Sequence, residues 1–87
     1  MSLIATQDLT TLIEDTKRQM TVITGLSPET VSEFDRAEQG WRLNIDMLEH
    51  RSIPRTQDLL ASFEVELDDA GHVARWRRTG RFMRGQG

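Results

Sequence analysis

Five arginines crowd the twelve residues from Ala74 to Gly85, "ARWRRTGRFMRG", with Trp76 and Phe82 among them. A guanidinium is flat, permanently charged and rich in donors, and an aromatic ring stacks on other flat groups. Arg75, Arg77, Arg78, Arg81 and Arg84 can therefore grip phosphates, pair with carboxylates of their own sheet, or hold a protein partner. Other groupings carry less chemistry. His50 and His72 are far apart, and neither has a second ligand at metal-motif spacing, so both read as ordinary surface or sheet-edge histidines. Asp68 and Asp69 read as turn residues, because the other ligands of a calcium loop are missing. Asp46, Glu49, Glu64 and Glu66 fall on alternating stretches, where the simplest reading is a solvated face paired to arginine. Gly80 and Gly85 match no phosphate loop. No catalytic residue, metal site or cofactor is assigned, and the chain is read as a non-enzyme.

Charge is divided unevenly along the chain. Met1 to Asp69 carry 14 acidic residues against six basic ones, a balance of -8, while Ala70 to Gly87 carry five arginines and no acid. That polarity suits a basic tail for polyanions, or a basic strand beside acidic ones. The net charge of -3 argues against the first, since non-specific affinity for nucleic acid comes from phosphate neutralisation. With 87 residues the chain makes one domain with a modest core. Lack of cysteine excludes disulfides and thiolate chemistry. No apolar run approaches the roughly 18 residues of a membrane span and no signal pattern opens the chain, so a cytoplasmic location is expected.

The elements that must position these groups follow from periodicity. Leu9, Leu12, Ile13, Met20 and Ile23, with Thr16 in the gap, share a helical face and predict an amphipathic helix over about 6–23. Thr6 or Asp8 can cap its start and Gly25 can end it in a left-handed conformation. "SPET", Ser27 to Thr30, reads as a separate helical turn, a cap followed by proline.

Two stretches then repeat one design, an alternating run, four turn residues ending in glycine, and a second alternating run. They predict β-hairpins over about 31–48 and 59–78, with Gly40 and Gly71 left-handed in the turns. Four-residue loops set Phe34 opposite Leu43 and Asp35 opposite Arg42. In the second hairpin they set Phe63 opposite Trp76, Val65 opposite Ala74 and Leu67 opposite His72, with Glu64 facing Arg75 and Ser62 facing Arg77 on the other side. Pro54 marks the connecting loop, about 49–58, and residues 79–87 form a short basic tail. The fold class is α+β, one N-terminal helix on a four-stranded antiparallel sheet made of two hairpins. Leu9, Leu12, Ile13 and Met20 are expected to pack on Leu43, Ile45, Met47, Phe63 and Val65, leaving one sheet face open.

The order of short motifs resembles a known family. Gly40 and Trp41; Glu49; Ile53 and Pro54; Asp58, Leu60 and Ala61; Phe63, Glu64, Val65, Leu67 and Asp68; Gly71; and Trp76, Arg78, Arg81, Phe82 and Arg84 look like the pattern of the gas vesicle protein GvpO, over about 24–85. Phe63, Trp76 and Phe82 stand where that pattern has tyrosine, and Ser52 where it has arginine. The resemblance implies a cytoplasmic accessory protein of gas vesicle assembly, associated with vesicles, whose partners are shell or accessory proteins.

In this frame Arg75 meets Glu64 across the hairpin, Arg77 shares the face that carries Glu64 and Glu66, and Trp76 joins the core. Arg78, Arg81, Phe82 and Arg84 lack an acidic partner in that register and are the expected protein-contact residues. Gly40, Trp41, Pro54, Phe63, Gly71 and Trp76 are expected to be structural. A small nucleic-acid-binding or regulatory module using the same arginines is the alternative, and an edge strand offers a route to a homodimer.

Overall fold

The computed structural model describes residues 9–86, without the side chain of Gln86. Helix α1 spans Leu9–Thr24, and strands β1 (Ser27–Arg36), β2 (Trp41–His50), β3 (Leu59–Leu67) and β4 (Val73–Met83) form one antiparallel sheet in that order. A 3-10 turn, Arg55–Gln57, interrupts the connection between the hairpins, and a second, Arg84–Gln86, follows β4. The caps considered at Thr6 and Asp8 lie outside the described residues.

One helix laid on a meander of four strands is the α+β architecture expected from the two periodicities. The two central strands carry the core, because each is covered by a strand on both sides. Leu43, Ile45 and Met47 of β2 and Ala61, Phe63, Val65 and Leu67 of β3 are buried against Leu12 and Met20. Apart from the small Ala61, each of these side chains contributes roughly 1.5–3 kcal/mol when buried. The helix touches the sheet along a narrow seam of Leu12, Thr16 and Met20, four residues apart. Thr16 fits there by donating its hydroxyl to the Leu12 carbonyl at 2.8 Å. The predicted stripe was wider: Leu9 is 53% exposed and Ile23 40%, since a straight helix meets a sheet along one line and its flanking positions lean past it. Gln19, beside the seam, ties the helix down by donating to the Gly71 carbonyl at 3.0 Å and accepting from the Val73 amide at 2.8 Å.

Both hairpins keep the predicted left-handed glycine, Gly40 at φ 95° and Gly71 at φ 86°, but only the first keeps the four-residue loop; in the second, His72 joins the turn between Leu67 and Val73. Their registers differ from expectation further out. "SPET" is the start of β1, not a helical turn, with Ser27 and Pro28 opposite Leu48 and Met47. Proline is tolerated there because β1 is an edge, where a missing N–H costs no ladder bond on the outer side. Asp35 does face Arg42, but irregularities between Ser32 and Asp35 and between Pro28 and Thr30 shift the remaining pairs. Phe34 consequently has no ladder partner at Leu43 and packs on the core edge instead.

In the second hairpin, Leu67 faces Val73, one residue from the predicted pair, while Val65 faces Trp76 and Glu64 faces Arg77, two residues from theirs. Asp68 is the cause. Its carboxylate accepts from the amides of Ala70 and His72, each at 2.9 Å, which draws His72 into the turn and leaves Ala74 without a partner. A slip of two preserves facing, so Trp76 still lies on the helix side and meets the Phe63 ring edge-on at 5.9 Å. As part of an edge strand it remains 46% exposed. β4 also continues through the residues expected to form a tail, bulging once near Thr79.

Candidate functional site

The C-terminal arginines do not hang free beyond the hairpin. Because β4 runs on to Met83, Arg81 and Phe82 sit in the ladder opposite Ala61 and Leu60, and Arg84 arrives beside the start of β3. The expectation that Arg78, Arg81 and Arg84 lack acidic partners is therefore overturned. The partners come from segments that a single hairpin register cannot include.

Arg84 is the most enclosed. Its Nη1 and Nη2 donate to the two oxygens of Glu29 at 2.9 and 3.1 Å, while Nε and Nη2 donate to Asp58 Oδ2 at 3.2 and 3.0 Å. The backbone amide of Arg84 also donates to the Asp58 carbonyl at 2.9 Å. Asp58, only 1% exposed, receives the Ser52 amide at 2.7 Å and has Arg55 at 3.9 Å. One guanidinium thus binds β1, the inter-hairpin loop and the end of β4 together.

Hydrogen bonding fixes the ionisation of this cluster. The Ser52 amide, followed by the Arg84 hydrogen bond, holds Asp58 below its ordinary value of 3.8, and the Arg84 hydrogen bond holds Glu29 below 4.5. Those bonds raise Arg84, Glu29 contributing first.

Arg78 and Arg81 share a different acid. Arg81 donates to Glu49 through Nε at 3.0 Å and Nη2 at 2.8 Å, and Arg78 reaches the same carboxylate at 3.4 and 3.5 Å. Glu49 occupies the irregular position between Leu48 and His50, so its side chain is free to meet both. The Arg81 hydrogen bond is the first cause of its lowered pKa, reinforced by the charge of Arg78. Arg78 also lies 5.6 Å above the Phe63 ring. Their side chains stay 42% and 53% exposed, so these two arginines remain accessible as Arg84 does not. Phe82 is half-buried on the other face, and Arg77 pairs with Glu64 at 2.9 Å, where Arg75 had been expected.

Beside Arg78 an open cleft of roughly 310 Å³ separates the end of α1 from β4, lined by Ile23, Thr24, Leu26, Phe63, Trp76 and Arg78. Gly40, Trp41, Phe63 and Gly71 belong to turns or core, and Pro54 lies in the loop after a cis peptide bond from Ile53. His50 closes β2, and His72 lies 4.0 Å from Asp68 in its turn. Sequence reasoning missed Glu29 and Asp58 as partners of Arg84. The available signal was a lone acid, Asp58, between Pro54 and the apolar start of β3.

These depressed carboxylates set an acid limit on the fold. Asp68, lowered chiefly by the His72 amide, adds to Asp58, Glu29 and Glu49. A carboxylate lowered by folding contributes stability that is complete above its unfolded value and lost as pH falls through the folded one. Urea midpoints are expected to stay level from about pH 7 to about pH 5.5 and to fall below about pH 4.5. A midpoint that rises on acidification to about pH 4 contradicts the assignment.

Comparison with known proteins places this geometry in context. The family described as "Gas vesicle synthesis protein GvpO" matches residues 4–87. "Gas vesicle protein O" of Streptomyces sp. (strain CB03234) is 47% identical over 68 residues, covering 78% of this chain and 53% of that protein. "Gas vesicle protein O1" of Halobacterium salinarum is 33% identical over 57 residues, 66% of this chain and 48% of the other. "Gas vesicle protein O" of Haloferax mediterranei is 35% identical over 46 residues, 53% and 33% of the two chains. The chain spans about half the length, or less, of these curated relatives. No solved structure matches it.

Proposed function

This chain belongs to the gas vesicle synthesis protein GvpO family, and from that premise we propose that it serves gas vesicle formation as a non-enzymatic accessory protein. It acts by contact with shell or accessory proteins, through the arginine-rich last strand and the open sheet face. The observation that supports this most is β4 itself, exposed from Ala74 to Arg81 while carrying four arginines. Arg78 and Arg81 are the contact residues in this reading, with Phe82 on the opposite face of the same strand. Arg84 contributes by holding the strand end in place. No helix among the described residues is long and apolar enough to cross a membrane, and we place the protein in the cytoplasm beside growing vesicles.

The test removes charge without placing a second acid beside Glu49. Arg78→Gln combined with Arg81→Gln is expected to weaken association with vesicle proteins about tenfold or more. Circular dichroism should show the fold retained. Unchanged co-purification from cells making vesicles would refute β4 as the contact surface.

A further inference from the structure

The two edges of the sheet are unlike. β1 carries Pro28, two irregularities, and Glu33 at φ 50°, all of which spoil an edge for further pairing. β4 has neither proline nor acid across Val73–Met83, and its pairing with β3 is regular from Arg75 to Arg78.

Arginines line both faces of this edge. On the open face, acid and arginine alternate across the ladder from Asp35 through Arg42 and Glu66 to Arg75, which leaves arginine outermost. On the helix face, Arg78 and Arg81 share Glu49. Between these charges Trp76 stands half-exposed at the mouth of the cleft formed with Ile23, Leu26 and Phe63.

We propose that β4 takes up an acidic, extended segment of a protein partner as a fifth strand of the sheet. The proposal rests on the reading that this chain works through protein contacts, and specifies the chemistry of the partner. An added strand turns successive side chains to opposite faces. Those on the open face meet Arg75 and Arg77 and suit carboxylates. Those on the helix face meet Trp76 and Arg78 and suit apolar side chains that enter the cleft. A second copy of this chain fits poorly, because β4 on β4 sets arginine against arginine and β1 is broken as a donor. A nucleic acid cannot continue the backbone ladder.

Two synthetic peptides about ten residues long test this against the whole chain, one alternating glutamate with valine and one alternating lysine with valine. The glutamate peptide is expected to bind and to slow amide hydrogen exchange in Ala74 to Arg81 about tenfold or more. The lysine peptide and a mixed-sequence oligonucleotide should neither bind β4 nor compete. Failure of the glutamate peptide to bind, binding without protection of β4, equal binding of the lysine peptide, or competition by the oligonucleotide would each overturn strand addition. The broader reading has a separate readout, association with vesicle proteins, so either can fail while the other stands.

Discussion

Arg84→Ala is expected to lower the melting temperature by about 10 °C or more, a large effect for one surface-proximal side chain. The reason is what remains after the guanidinium is removed. Asp58, almost wholly buried, keeps the Ser52 amide but loses two hydrogen bonds, and Glu29 loses both of its own. The two carboxylates are then left to repel one another, an interaction that already acts on Glu29 in the intact protein. Breaking such a cluster by deleting one partner costs far more than exchanging the whole group for apolar residues. Lysine should not rescue it, because an ammonium cannot present paired donors to two acids at once. The loss should also narrow as pH falls through the lowered values of Asp58 and Glu29, where both carboxylates protonate even with Arg84 in place. Thermal melts of wild type, Arg84→Ala and Arg84→Lys across pH decide the matter. An alanine variant that melts within about 2 °C of wild type at neutral pH removes the clamp from the account.

Gly40→Ala is the second severe change. Gly40 holds φ 95° in the first hairpin turn, and its carbonyl accepts from the Ala37 amide at 3.0 Å. A Cβ there would overlap the Leu67 carbonyl oxygen at the end of β3, which is backbone and cannot swing aside. The left-handed conformation alone costs a non-glycine residue about 1–3 kcal/mol, and the overlap adds to it. The turn must then separate from β3 or change type, disturbing Trp41 opposite Leu67. A loss of at least about 2 kcal/mol in urea unfolding is expected, or failure to accumulate folded protein. Gly80→Ala is the control, since nothing lies within 4 Å of a Cβ there, and it should change stability by no more than about 0.5 kcal/mol. Equal stability of the two variants would mean that the turn does not sit on β3 as described.

How far each feature was legible depended on the distance over which its cause acts. The seam of Leu12, Thr16 and Met20 and the glycines at 40 and 71 follow from neighbours within a turn or two, and each is visible in the local pattern. The pairs Glu64 with Arg75 and Phe63 with Trp76 were misplaced by two residues. One extra residue at the turn and the unpaired Ala74 after it each move every later pair by one, and the Asp68 side chain that draws His72 into the turn looked like any turn aspartate. The faces survived that error because a shift of two returns each side chain to its own side.

Arg84 shows the larger gap. From the sequence it closes a basic run with no acid near it, and that made it a contact residue. Its partners stand 55 and 26 residues away, on an edge strand and in a loop, and only the closing of the sheet brings them to hydrogen-bond distance. The sequence by itself determined the elements, their order and the sign of charge on the last strand, because periodicity, turn chemistry and composition are local properties. Tertiary structure alone decided which arginines are consumed in holding the fold and which stay accessible, because that depends on where bulges and a buried aspartate place carboxylates distant in the chain.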